Sequence, residues 1–313
     1  MKMTNKTKKK RGGITRNVNS PSKFLVHYPV FFILSTACIF GLTKSPLAAC
    51  NINPVGLVIS GNPESSGGAT WTYNSTDNGT DYDFYGTLLK PAGSGPFPGG
   101  VVNHGFTGVP SNMGSVARAM RSWGMVVISP VLTHCSDDAG YKPAGGFGAD
   151  PANMLRVRKS LDILCYLGYV DMSRVAIHGH SAGAYVTTDA LDTYPDSFKV
   201  GSHTGGGTNG CTSTLICGFM PALSERDGII APYSLNHGDA DTTVPLSWDQ
   251  NLYDEFLQAG HPITELNIYP GLDHAASHDD PAVLTNIQEW YTTHGLFSAD
   301  DTVPGKPTGL TVN

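Results

Sequence analysis

Gly179-His180-Ser181-Ala182-Gly183 constrains this chain more than any other stretch, because two backbone periodicities meet there with no loop between them. Arg174 to His178 reads as a short buried strand, and Ala184 to Leu191 reads as the start of a helix. The pentapeptide fits G-x-S-x-G, in which the serine sits on a sharp strand-to-helix turn. Glycines flank the serine because strand and helix pack too closely there for side chains. Ser181 is therefore the candidate nucleophile. A serine alone is weak and needs a base that is itself held by an acid.

The rest of the chain supplies a matching framework. Tyr82 to Leu89 alternates as an early antiparallel strand, and Gly99 to His104 is a short buried strand entering a Gly-flanked loop. Ser111 is expected to cap a helix to about Trp123, followed by a strand over Met125–Pro130. Thr133 to Asp150 is a long polar, Gly-rich connection, and Pro151 opens a helix through about Leu167. Two further strands are expected over Ile229–Leu235 and Thr264–Tyr269, with a closing helix over Ala282–Tyr291. Strands alternating with helices imply an α/β class with a mostly parallel central sheet and helices on both faces. Catalytic groups should then gather at the C-terminal ends of the strands.

The ends of the chain read differently. Residues 1–49 have a signal-peptide layout: a basic stretch around Lys8-Lys9-Lys10-Arg11, an apolar run from Val30 to Leu42, and Ala48-Ala49. The implied localisation is secreted. Leu47-Ala48-Ala49-Cys50 also resembles a bacterial lipobox, so cleavage after Ala49 and lipidation of Cys50 are both open. Residues 50–298 form the expected catalytic domain of about 250 residues, one domain's worth. Residues 299–313 are a Pro/Gly linker, and Thr308 to Asn313 resembles the start of a fibronectin type III module. Once Cys38 leaves with the signal, the remaining cysteines suggest the pairs Cys211–Cys217 and Cys135–Cys165. A net charge of −6 argues against nucleic acid as a partner, because no basic surface is available for phosphates. The mature sequence has no run long and apolar enough to span a membrane. No histidine pair has ligand spacing, so neither metal nor cofactor is expected.

Two segments can complete the serine site. Asn236 to Pro245 and Pro270 to Ala275 each follow an expected strand, and they offer an acid and then a histidine. That is the chain order Ser, Asp, His. These segments, with His104-Gly105-Phe106-Thr107-Gly108 and the serine pentapeptide, resemble the α/β-hydrolase superfamily over about Tyr82 to Phe297. Within it the likeness is to secreted esterases of the dienelactone-hydrolase and bacterial cutinase or polyester-hydrolase type. The resemblance implies Asp241 as the acid, four residues before Pro245, with Asp239 as a turn residue. It implies His274 as the base, with His278 as the rival. It implies an oxyanion hole made by the amides of Phe106 and Ala182, with the Phe106 ring against the acyl part of the substrate.

The chain departs from the cutinase-like pattern at Ala182 and Ala184, where methionine and a third glycine are usual. The pocket tryptophan of those enzymes is also missing. Its region is Ser202 to Gly207, a glycine run read as an open cleft or a flexible loop. His104 and His178 read as strand-end residues, His180 as the variable position of the turn, and His237 as a residue bonded to the backbone of the acid loop. The implied activity is serine carboxylic-ester hydrolysis through an acyl-enzyme, with polyesters among the substrates. Esterases on small soluble or plant cell-wall acyl esters, and a secreted serine peptidase of the same fold, are the alternatives. A histidine base works only when neutral, so activity should fall on acidification. Oligomeric state is not written in these residues.

Overall fold

The computed structural model describes residues 56–77, 80–136, 147–208, 228–261 and 264–298, all within the unit Ser45–Asn313. The expected signal segment, Cys50, the Cys211–Cys217 pair and the C-terminal linker lie outside the described residues.

Three antiparallel strands open the fold: β1 (Val58–Gly61), β2 (Ala69–Asp77) and β3 (Thr80–Leu89). Next come β4 (Phe97–Asn103), α1 (Gly114–Ser122), β5 (Val126–Pro130) and α2 (Pro151–Tyr166). The serine segment is β6 (Val170–His180) followed by α3 (Ala182–Thr193). Beyond it lie β7 (Val200–Thr204), β8 (Tyr233–Gly238), α4 (Leu246–Ala259), β9 (Thr264–Tyr269) and α5 (Pro281–Thr293). The nine strands make one sheet in the order β1-β2-β3-β5-β4-β6-β7-β8-β9. Pairing is antiparallel from β1 through β3 to β5 and parallel from β5 to β9.

Alternation along the central strands divides the core between two faces. Side chains two apart share a face of a strand. Val101, Val126, Ile128, Val175 and Ile177 accordingly join one cluster with Leu161, Leu164, Leu191, Leu252 and Phe256 of α2, α3 and α4. Their neighbours Val102, Val127 and Ala176 join the opposite cluster with Val116, Met120, Val283, Ile287 and Tyr291 of α1 and α5. Both faces of the parallel strands are covered, so those strands are apolar almost throughout. At the start of α2, Asp150 caps the helix by accepting from the Ala152 N–H at 2.8 Å, with Pro151 next to it.

Several expectations need correction. Ser111 lies inside a 3₁₀ turn, Pro110–Met113, and α1 begins only at Gly114. The strand expected from Ile229 starts at Tyr233, because Pro232 precedes it and its pairing with β9 begins at Tyr233. His178 lies within β6, fully buried, rather than at its end. The Cys135–Cys165 bridge is not formed, and the Cys135 sulfur lies 3.4 Å from the Tyr85 hydroxyl. No helix among the described residues is long and apolar enough to cross a membrane.

Candidate active site

Ser181 sits between β6 and α3 with φ 56° and ψ −121°, a conformation that a non-glycine residue holds only when its surroundings enforce it. The surroundings are tight. A methyl group on Gly179 would lie 2.0 Å from the Gly183 carbonyl oxygen, and one on Gly183 would lie 2.2 Å from that of Asn103. Strand β4 and the first turn of α3 therefore meet backbone to backbone, and the serine is left half-buried at the junction.

The expected acid and base are adjacent. His274 Nδ1 lies 2.6 Å from Asp241 Oδ2, while Asp241 Oδ1 accepts from the Thr243 and Val244 amides at 2.8 and 2.9 Å. Both residues stand in turns just after β8 and β9. The tip of β7 links them to the serine. Ser181 N–H donates to the Thr204 carbonyl at 3.0 Å, and a methyl group on Gly205 would come within 3.1 Å of His274 and 3.3 Å of Asp241 Oδ2. Asp239 is exposed and accepts from the Gly271 amide at 2.6 Å, as a turn residue would. His278 faces the Asn112 carbonyl at 3.3 Å instead of Asp241.

The glycine run Ser202–Gly207 is neither open nor loose. A methyl group on Gly206 would lie 2.5 Å from the Ala184 side chain, and one on Gly207 would lie 2.2 Å from the Trp248 backbone. The segment is narrow so that α3 and the start of α4 can close on it.

Two buried histidines shape the loop after β4. His104 Nε2 accepts from the Leu132 amide at 3.1 Å, which leaves Nδ1–H to donate to the Gly105 carbonyl at 2.9 Å. His134 Nε2 donates to the His104 carbonyl at 3.0 Å, and the Thr107 amide donates to the His134 carbonyl at 3.0 Å. Burial, reinforced for His104 by the neighbouring His134, lowers their pKa values to about 3 and about 4, so both imidazoles stay neutral. Thr107 is held at φ 56°. Among the described residues, the amides of Phe106 and Ala182 have no hydrogen-bond acceptor, whereas the adjoining Thr107 and Ser181 amides do. The Phe106 ring is 59% exposed and rests against Phe147, with ring centroids 4.8 Å apart. Phe147 in turn lies 5.3 Å from the His134 ring. Sequence reading missed Phe147, which stands alone in a Gly-rich connection.

His180 points its ring between His274 and His278, at 4.7 and 4.8 Å, and its Nδ1 meets Thr204 Oγ1 at 2.9 Å. Burial, and then the surrounding His278, His274 and His178, push its pKa well below the ordinary value. A neutral ring thus packs beside His274. Among the described residues no group of three or more His, Cys, Asp or Glu side chains could hold a metal ion.

Residues 157–214 match the prolyl oligopeptidase family, peptidase S9. That stretch runs from α2 across Ser181 and β7 and includes neither Asp241 nor His274. No curated protein matches the chain. Among solved structures, it is similar to an S-formylglutathione hydrolase from Agrobacterium tumefaciens at 17% identity, covering 76% of this chain and 99% of that one, with a TM-score of 0.58. A thermophilic esterase from the Planctomycetes species Thermogutta terrifontis aligns at 15% identity, over 74% and 94% of the two chains, with a TM-score of 0.56. A Bacteroides ovatus protein assigned as a dipeptidyl aminopeptidase IV aligns at 20% identity with a TM-score of 0.57. There the match covers 76% of this chain but only 36% of the longer one. The sheet order, the serine turn and these likenesses identify the fold as that of the α/β-hydrolases.

Proposed function

We propose that this protein is a serine ester hydrolase acting through an acyl-enzyme. The observation that carries the reading is the strained Ser181 turn, packed through Thr204-Gly205 onto the hydrogen-bonded pair Asp241–His274. His274 takes the Ser181 proton as the hydroxyl attacks the ester carbonyl, and Asp241 holds the imidazole in the tautomer that presents Nε2. The Phe106 and Ala182 amides, which lack acceptors among the described residues, receive the oxyanion. The alcohol leaves with the proton from His274. Water then attacks the acyl-serine by the same route.

Polyesters are the substrate class we favour. Exposed Phe106, resting on half-buried Phe147 beside the oxyanion loop, offers an apolar shelf for an acyl chain or ring. The signal-like leader fits export to where such polymers are found. Amide cleavage is the second reading, favoured by the peptidase S9 match across the serine segment. The test assays wild type and Ser181→Ala on p-nitrophenyl esters of increasing acyl length, aminoacyl p-nitroanilides and a suspended polyester film. The reading expects short-ester and film hydrolysis, lost at least about 10³-fold in Ser181→Ala while the fold is kept. Cleavage confined to the anilides makes the protein a peptidase, and undiminished turnover in Ser181→Ala removes Ser181 from the mechanism.

A further inference from the structure

Behind Asp241 lies a second buried carboxylate–imidazole unit that a three-residue mechanism does not use. Asp249, on α4, is fully buried between two fully buried histidines. Its Oδ2 lies 2.7 Å from His237 Nδ1, and its Oδ1 lies 2.8 Å from His203 Nε2. His203 Nδ1 continues to the Tyr233 hydroxyl at 2.5 Å. The other nitrogen of His237 faces the Val244 carbonyl at 2.9 Å and Asp241 Oδ2 at 3.4 Å. That carboxylate oxygen is the one that meets His274.

The partners of His237 fix its protonation. A carboxylate and a carbonyl can only accept, so both ring nitrogens must carry protons and the ring is an imidazolium. We propose that His237, charged by Asp249, is a positioning residue for the serine site: it ties down the acid loop and sets the charge that Asp241 presents to His274. The tie is the bond to Val244, in the same turn whose amides hold Asp241 Oδ1. The charge acts because a cation 3.4 Å from Asp241 Oδ2 draws on the same oxygen as the His274 N–H. Asp241 Oδ2 thus divides its pull between the His237 cation and the His274 N–H. Burial opposes a charged His237, but the hydrogen bond and charge of Asp249 outweigh it, so the pKa is raised. Asp249 is likewise held at about 2, its burial outweighed by His203 and His237. Among the described residues, the other titratable groups facing the unit are the hydroxyls of Tyr185 on α3 and Tyr233 on β8, both kept un-ionised by burial.

The role in catalysis rests on the serine-hydrolase reading, but the protonation state does not, and one experiment separates them. Long-range ¹H–¹⁵N spectra of the histidine side chains, recorded on wild type and Asp249→Asn, should show both His237 nitrogens protonated at neutral pH. One of them should lose its proton in the variant. An unprotonated His237 nitrogen in the wild type overturns the proposal whatever the enzyme does. On the best ester substrate, Asp249→Asn and His237→Gln should lower kcat about tenfold with KM unchanged. Both should move the acid limb of the kcat/KM profile up by about half to one pH unit. An unmoved acid limb in a variant with wild-type circular dichroism overturns the role. Absence of any esterase activity in the wild type overturns only the reading it rests on.

Discussion

At the scale of single residues, the site depends on contacts that leave no room. Gly183 has the Asn103 carbonyl oxygen where its methyl group would be. Gly183→Ala must push α3 away from β4, and overpacking of this kind costs about 3 kcal/mol. Urea unfolding should give that loss, and esterase activity should fall with it because Ser181 is the residue displaced. Gly105→Ala meets the Ser181 Cβ at 3.2 Å as its tightest neighbour, with the His180 carbonyl oxygen at 3.5 Å, and should be milder on both counts. Phe106 is the opposite case, an aromatic ring left 59% in water beside a donor that its own backbone supplies. Phe106→Ala keeps that amide, so it should raise KM for long or aromatic acyl groups several-fold while leaving kcat on acetyl esters within about twofold. An equal loss of kcat on every ester would mean that the ring holds the loop rather than the substrate.

At the scale of elements, β6 carries both the core and the serine. Ile177 is fully buried in it, four residues before Ser181. Ile177→Ala should cost about 2–5 kcal/mol in urea unfolding while activity at low temperature survives, because the cavity lies below the site and not in it. How legible each element was follows its pattern. The expected bounds of β9 match those observed, and α2 and the serine turn were visible from apolar periodicity punctuated by Pro and Gly. Strand β2 alternates clearly in Ala69-Thr70-Trp71-Thr72-Tyr73, yet it was passed over beside a polar continuation. Helix α4 was missed because its buried face reads Asp249, Leu252, Phe256, and an aspartate breaks the apolar stripe. Strand β8 was misplaced because its interior carries Ser234, Asn236 and His237, polar groups that the fold satisfies across the sheet; Asn236 donates to the His203 carbonyl at 3.1 Å. Strand-end position and chain order pointed to the two loop segments of the candidate site, and the family resemblance chose Asp241 and His274 within them. The Asp249–His203 contact could not, since it joins residues far apart in sequence and no local pattern encodes it.

For the whole molecule, the histidines decide the response to acid. Burial drives the pKa of His104 and His178 to about 3 and of His134 to about 4, and His180 falls well below the ordinary value for the same reason. In the unfolded chain each titrates near 6.5. Between those limits the unfolded chain binds protons that the folded one refuses, so acidification favours unfolding. This stability is complete above about pH 7, begins to fall as pH drops through 6.5, and is exhausted near pH 3 to 4. His237 works in the other direction: its pKa is raised, so its contribution is full in acid and fades as pH rises through the folded value. These four, joined by His278 and His294, whose pKa values burial also lowers, oppose one, and each is worth at most about 1.4 kcal/mol per pH unit. Urea unfolding at pH 7.5, 6.5, 5.5 and 4.5 should therefore show a plateau followed by a steepening loss, with cooperative acid unfolding before pH 4. Replacing one of the four by a group that cannot titrate, as in His178→Met, should flatten the slope by about one proton while leaving the serine site untouched. Stability that stays level from pH 7.5 to 5 would mean that these imidazoles reach water in the native state and that the packing around the site is looser than the fold implies.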